Sequence, residues 1–185
     1  MFTPKTFTHM PTKINSNLVS EDTETGRYYI LEDGKKLPSV TTVTGWKKNA
    51  FFAKWREKNP KESKRVQRRG NTLHSLLENY VNNEKIILSD IPPLECDLFL
   101  NLKNDVDKID NVRAIEMSLA SENIGLAGRV DCIAELDGKL SIIDFKGSTR
   151  KKSKSNIENY FLQATAYALM WQEMTEEKIE QIAIL

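Results

Sequence analysis

The chain has 185 residues, of which 39% are hydrophobic and 29% are charged, and this length allows one compact domain with its own core but is short for two. No apolar run approaches the ~20 residues of a membrane-spanning helix, so a soluble protein is expected. Residues 1–10 lack the apolar segment of a secretory signal, so secretion has no support and an intracellular location is expected. The net charge of +1 conceals a basic segment, residues 47–69, in which ten lysines and arginines stand against two acids, a net of +8.

A second basic block spans residues 146–154, where five lysines and arginines occur without an acid. Blocks of this kind favour a polyanion-binding surface, because phosphate contacts dominate the affinity of proteins for nucleic acids. From charge alone, a solvated helix face is an equally good interpretation. The two cysteines, Cys96 and Cys132, lack metal-ligand spacing and are expected to be free thiols.

The chain divides into an arm and one domain. Residues 1–25 are polar and predict an irregular N-terminal arm, and residues 26–185 predict a single domain. The domain begins with a small hairpin around the turn Asp33-Gly34. Its helical part covers 38–110, and its sheet and catalytic core cover 111–185.

Apolar spacing in the helical part predicts several helices, over 38–48, 50–58 and 60–82 and from Pro92 onward. Gly70-Asn71 is expected to interrupt the third of them, with Asn71 capping a new helix that carries Leu73 and Leu77.

After residue 111 the apolar pattern alternates, which predicts strands over 112–120, 127–136 and 139–145, with a turn at Asp137-Gly138. A capping box, Ser155 and Glu158, then begins a long helix. Residues 181–185 predict a last strand. Because the chain stops inside it, we expect a truncated or naturally short version of a longer fold.

The strand over 139–145 places an acid and an amine together. Asp144 and Lys146 share one strand face, and Asp131 lies on the neighbouring strand. Two carboxylates beside a lysine can hold Mg²⁺ or Mn²⁺, and the ammonium can orient a water and offset developing charge. If this pattern stood alone, a surface Asp/Lys pair in a hairpin would be the better interpretation.

Four motifs extend the pattern. Gly125-x-x-Gly128-x-x-Asp131, followed by a hairpin and Ile143-Asp144-Phe145-Lys146, resembles the signature of the PD-(D/E)XK nuclease superfamily. The RecB-like branch has a G-x-x-x-H motif and a Q-x-x-x-Y motif, to which Gly70–His74 and Gln163–Tyr167 are similar. Residues 37–43 resemble the exonucleases of mitochondrial genome maintenance and their phage relatives. The resemblance covers roughly residues 36–172.

The resemblance implies an α/β, restriction-endonuclease-like core, a small mixed sheet flanked by helices, with an added N-terminal helical part. It implies catalysis by Asp131, Asp144 and Lys146, and Mg²⁺ or Mn²⁺ bound by His74, Glu116, Asp131 and Asp144. Alone, His74 would more often be a core histidine, and Glu78, one turn further, would as often be solvated. A phage-encoded chain would act in the host cell, and otherwise the cytoplasm is expected.

We expect DNA, in single-stranded form, as the partner. Trp46, Phe51, Phe52 and Trp55 alternate with cations as in single-strand-binding surfaces, although about half of these rings are expected to be buried. The candidate DNA-binding residues are Ser39, Thr41, Thr42, Trp46, Lys47, Lys48, Trp55, Arg68, Arg69, Lys151, Lys152, Gln163 and Tyr167.

These observations predict a metal-dependent exonuclease of single-stranded DNA that serves replication, repair or recombination. Two alternatives are an endonuclease of the same superfamily and a nucleic-acid-binding module that has lost its chemistry. The intact set of His74, Asp131, Asp144 and Lys146 argues against lost chemistry, because acids beside phosphate make sense chiefly with a metal between them.

Overall fold

A computed structural model describes residues 2–10, 12, 14, 16, 18–148 and 154–185, and of residues 47–50 and 154–156 only the backbone. Strands and helices follow along the chain in this order: β1 (Val19–Thr23), β2 (Gly26–Ile30), β3 (Lys36–Pro38), α1 (Val40–Lys58), α2 (Pro60–Val81), α3 (Pro93–Val106), β4 (Ile109–Ser121), β5 (Leu126–Leu136), β6 (Lys139–Asp144), α4 (Lys154–Thr175) and β7 (Gln181–Ile184), with a short 3₁₀ turn at Leu88–Asp90 between α2 and α3. Within this described part, no helix is long and apolar enough to cross a bilayer.

Strands β1, β2 and β3 form a small antiparallel sheet near the N-terminus. The expected turn is present, and Gly34 takes a φ of +85°, which glycine adopts without steric cost. The expectation of an irregular arm over residues 1–25 is wrong for β1, which lies inside that range. Its side chains are largely exposed on both faces, so no alternating pattern marked it as a strand.

Helices α1 and α2 are continuous where breaks were expected. Ser39 caps α1, and its Oγ accepts a hydrogen bond from the Thr42 backbone N–H at 3.0 Å. One helix then runs to Lys58 in place of the expected two. Helix α2 continues through Gly70-Asn71, because an internal glycine costs only about 1 kcal/mol relative to alanine and the buried stripe beyond it stabilises the helix by more.

The main sheet has the order β4-β5-β6-β7, antiparallel except for the parallel pair β6 and β7. Asp137 and Gly138, both at positive φ, form the turn between β5 and β6. One sheet face packs against α4, and the other against α2 and α3. The predicted α/β architecture, a small mixed sheet flanked by helices, is therefore confirmed. The side chain of Ser155 in the expected capping box lies outside the described residues.

Candidate active site

Strand register brings three acids into one row across β4, β5 and β6. Ile115 pairs with Cys132 and Met117 with Val130, which places Glu116 opposite Asp131. Cys132 also pairs with Ile143, so Asp144 lies one step beyond, on the other side of Asp131. The Phe145 backbone N–H donates to Asp131 Oδ2 at 2.8 Å and fixes that carboxylate. The convergence of Asp131 and Asp144 predicted from alternation is present.

Helix α2 adds an imidazole to this row. His74 Nδ1 lies 3.6 Å from Asp131 Oδ2 and 4.0 Å from Glu116 Oε1. One ligand atom from each of these three residues falls within 4.8 Å of the other two, which is a spacing that one small cation can bridge. Two carboxylates and one imidazole suit Mg²⁺ or, better, Mn²⁺. The residues present therefore fit a divalent metal.

Asp144 contributes differently from the other acids. Its Oδ1 accepts hydrogen bonds from Lys146 Nζ at 2.6 Å and from Gln163 Nε2 at 3.3 Å. Its Oδ2 is buried and has no hydrogen-bond partner among the described residues. A buried carboxylate oxygen without a partner is costly in a folded protein. A bound cation would satisfy this atom, and this is the second observation that fits a metal.

The acids of this row are held in a low-dielectric setting. Burial, reinforced by the Asp131 and Glu78 carboxylates, raises the pKa of Glu116 from 4.5 to about 7. Burial also raises the pKa of Asp144 from 3.8 to about 6, although Lys146 opposes that rise. The backbone of Glu116 has a φ of +49°, which a glutamate rarely adopts and which is typical of functional positions. The ionised forms of Glu116 and Asp144 are thus disfavoured in the absence of a cation, and a bound cation would stabilise them.

Gln163 and Tyr167 lie one turn apart on α4, and the structure places both at this site. Gln163 Nε2 lies between Asp144 Oδ1 and the Tyr167 hydroxyl, the latter at 3.4 Å. Tyr167 also explains Gly128, since a Cβ there would lie 2.8 Å from Tyr167 Cε1. Both side chains are nearly buried, and Gln163 donates its hydrogen bonds to Asp144 and Tyr167. Their expected role in DNA binding remains a prediction.

A cleft of about 710 Å³ opens above the acids. Four candidate DNA-binding residues, Ser39, Thr41, Gln163 and Tyr167, line it, whereas Thr42 bonds to the backbone of Arg27. Several residues of this cleft were not predicted from the sequence as site residues, namely Ser20, Arg27, Tyr29, Asn71, Ser75, Gly128 and Arg129. Arg129 precedes Asp131 by two positions in an alternating strand, so its place on the same face was predictable. Ser20, Arg27 and Tyr29 lie on β1 and β2, and no sequence pattern related them to the acids.

Of the other candidates that the structure describes, Trp46, Trp55, Arg68 and Arg69 do not line the cleft. Trp46 is 67% exposed, and Trp55 lines a separate pocket with Phe51 and Phe52. The expectation that about half of these rings are buried is wrong, since three are exposed and Trp55 is partly buried. Two further candidates lie on α2, at Arg68 and Arg69. The side chains of Lys47 and Lys48, and all of Lys151 and Lys152, lie outside the described residues.

The chain is similar in sequence to known nucleases. Mitochondrial genome maintenance exonuclease 1 of Mus musculus is 26% identical over 147 residues, which are 71% of this chain and 43% of that protein. The Homo sapiens protein is 28% identical over 148 residues, 71% of this chain and 42% of its own. The chain thus spans less than half the length of these relatives. Residues 97–184, which include Asp131, Asp144 and Lys146, match the family model of the PD-(D/E)XK nuclease superfamily.

Proposed function

We propose that this protein is an exonuclease that hydrolyses phosphodiester bonds of single-stranded DNA with Mg²⁺ or Mn²⁺, in replication, repair or recombination. The observation that carries the proposal is the row of Glu116, Asp131 and Asp144 beside His74, with one buried carboxylate oxygen that has no hydrogen-bond partner among the described residues. The names of the two relatives support the exonuclease assignment.

Each polar residue of the row has a role in this proposal. His74, Glu116, Asp131 and Asp144 would hold the metal, which when bound polarises a phosphoryl oxygen and lowers the pKa of a water. The Lys146 ammonium, fixed by Asp144 at 2.6 Å, can orient that water and stabilise negative charge as it develops. Gln163 in turn restrains Asp144.

The preference for single strands is supported by the surface around α1 and α2. This helical pair carries the +8 segment, and it exposes Trp46, Phe51 and Phe52 among the cations. Rings and cations together hold single strands by stacking and charge, without reading sequence. The candidate DNA-binding residues named above are part of this proposal.

A cleavage assay on three DNA forms tests the function. We expect end-labelled linear single strands to be shortened from an end with Mg²⁺ or Mn²⁺, duplexes to be cut more slowly, and closed single-stranded circles to persist. EDTA should stop the reaction, and the Asp144→Asn variant should be inactive on every form. Cleavage of circles would show an endonuclease, and DNA binding without any metal-dependent cleavage would show a binding module.

A further inference from the structure

The cleft contains several cationic side chains, and most of them are already engaged. Lys146 is bound by Asp144 at 2.6 Å, and Arg27 is bound by Asp22 at 2.9 Å. His74 lies beside Asp131 and Glu116. Arg129 is different, because its exposed guanidinium makes no ion pair within 4.0 Å with any described acid. It is the cation left available in the described part of the cleft.

The position of Arg129 relates it directly to the row of acids. It precedes Asp131 by two residues on β5, so both side chains project from one sheet face, ~7 Å apart along the strand. Its partner across the ladder is Ser118, two positions beyond Glu116. Its charge also opposes the rise in the pKa of Glu116 that burial causes. The guanidinium therefore lies beside the acids, close enough to act on the same ligand.

The balance of charge indicates what this ligand is. Glu78, Glu116 and Asp131 line the cleft, and a DNA backbone entering it would be repelled by them. A metal bound between two acids and a phosphate offsets this electrostatic repulsion, but only at the phosphate that the metal contacts. An arginine next to the acids supplies a second fixed positive charge, and its planar fork of N–H donors matches two phosphate oxygens.

We propose that Arg129 binds a phosphate of the DNA strand next to the one at the metal site, by a bidentate guanidinium–phosphate contact. This inference deepens the proposed function and rests on it. Arg129 then determines how tightly and in what position the strand is held, while the acids and Lys146 carry out the cleavage. Loss of the Arg129 guanidinium should therefore raise KM and leave kcat nearly unchanged.

Binding of a labelled single strand in Ca²⁺, a hard cation that takes oxygen ligands, tests the contact over a range of salt concentrations. We expect Arg129→Gln to weaken binding about tenfold and to reduce the slope of log K against log salt by ~0.7, the value for one phosphate contact of a single strand. Arg129→Lys should keep the slope and recover part of the affinity. The control Lys139→Gln removes one exposed charge at the far end of β6 and should change neither quantity.

Three substrates identify the phosphate. A strand with a 5′-phosphate, one with a 5′-hydroxyl and a closed circle should all lose affinity in Arg129→Gln if the contact is to an internal phosphodiester. A loss confined to the 5′-phosphorylated strand would assign the contact to a terminal phosphate. Unchanged affinity and salt slope on all three would overturn the inference. If affinity and salt slope are unchanged in Arg129→Gln while the wild-type protein cleaves DNA with Mg²⁺, only the role of Arg129 is wrong. If the wild-type protein does not cleave DNA, the proposed function itself is wrong.

Discussion

Among the described residues, the carboxylate of Asp144 has hydrogen-bond partners on one oxygen and none on the other, which makes it the most consequential side chain of the site. Asp144→Asn keeps the shape of the side chain and removes its negative charge, and Lys146→Ala removes the ammonium group. We expect each to lower the cleavage rate at least 100-fold, while the melting temperature and most DNA affinity remain. Turnover at saturating DNA, with thermal unfolding as control, measures this. A rate like that of wild type in either variant would contradict the assignment.

Metal binding should depend on His74, Glu116 and Asp131, whose ligand atoms lie close together. Asp131→Asn and His74→Ala are each expected to weaken divalent-ion binding, measured by calorimetric titration with Mg²⁺ and Mn²⁺, because each removes one ligand atom from the group within 4.8 Å. Asp97→Asn, an exposed acid on α3, is the matched control. Unchanged metal affinity in Asp131→Asn would remove that residue from the ligand set.

At the scale of single residues, some of the site could be predicted and some could not. The alternation of a strand placed Asp144 and Lys146 together and predicted Asp131 beside them. His74 and Glu116 were found only because motifs resemble those of a family, since they lie 42 positions apart in the chain and no local pattern relates them. Arg129 obeys the same alternation as Asp131, but a single basic residue on an exposed strand face does not by itself indicate a site.

At the scale of elements, local signals located strands well and helix ends poorly. The Asp137-Gly138 turn requires a positive φ at both residues, so it predicted where the first of its flanking strands ends and the second begins. Gly70-Asn71 carries only a weak preference against helix, which the burial of Leu73 and Leu77 overrides. Tertiary packing of this kind is not visible in a window of sequence.

The pair of helices α1 and α2 is expected to guide the strand by charge. Replacing Lys47, Lys48, Arg68 and Arg69 with glutamine should weaken DNA binding at low salt and flatten the salt dependence by up to ~0.7 per lost phosphate contact. Cleavage at saturating DNA should survive, because none of these residues belongs to the row of acids. Lys178→Gln is a control outside this segment. An unchanged salt slope would place the DNA path elsewhere, with the basic block at 146–154 as the next candidate.

The tryptophans of α1 test stacking separately from charge. Trp46→Ala or Trp55→Ala should cost about 1–3 kcal/mol of single-strand affinity with little change in salt slope, if the ring stacks on a base. Trp46 is 67% exposed, so its removal is not expected to lower the melting temperature. Trp55 lines a pocket with Phe51 and Phe52, and a structural role would instead lower the melting temperature and leave the affinity of the folded protein unchanged.

At the scale of the whole molecule, the N-terminal segment is part of the fold. Phe7 is buried against Tyr80 in the core cluster that also contains Leu73, the neighbour of His74. Lys5 donates from its Nζ to the carbonyl oxygens of Asp107 and Ile109, at 2.8 and 2.5 Å, and so ties the segment to the start of β4. Scattered apolar residues in a polar stretch gave no periodic signal, which is why sequence reasoning assigned this segment to an arm.

At the scale of the whole molecule, the pH dependence of the melting temperature should differ between the metal-free and the metal-bound protein. Without metal, Glu116 and Asp144 have pKa values of about 7 and 6, above their ordinary values of 4.5 and 3.8. The native state therefore holds more protons than the unfolded chain between about pH 4 and 7, and this contribution to stability is lost as pH rises through that range. We expect the melting temperature of the metal-free protein to fall accordingly, and Glu116→Gln to reduce the fall.

A bound cation reverses this dependence, because it takes the place of the protons and favours the ionised carboxylates. The rise in melting temperature on adding Mg²⁺ should thus be small near pH 5.5 and grow steadily to pH 8. Thermal unfolding in EDTA and in saturating Mg²⁺, at several pH values, measures it directly. Asp131→Asn should shrink the Mg²⁺ effect at every pH, whereas Asp97→Asn should leave it unchanged. A Mg²⁺ effect of equal size at all pH values would contradict the view that the cation binds at Glu116 and Asp144 in competition with protons.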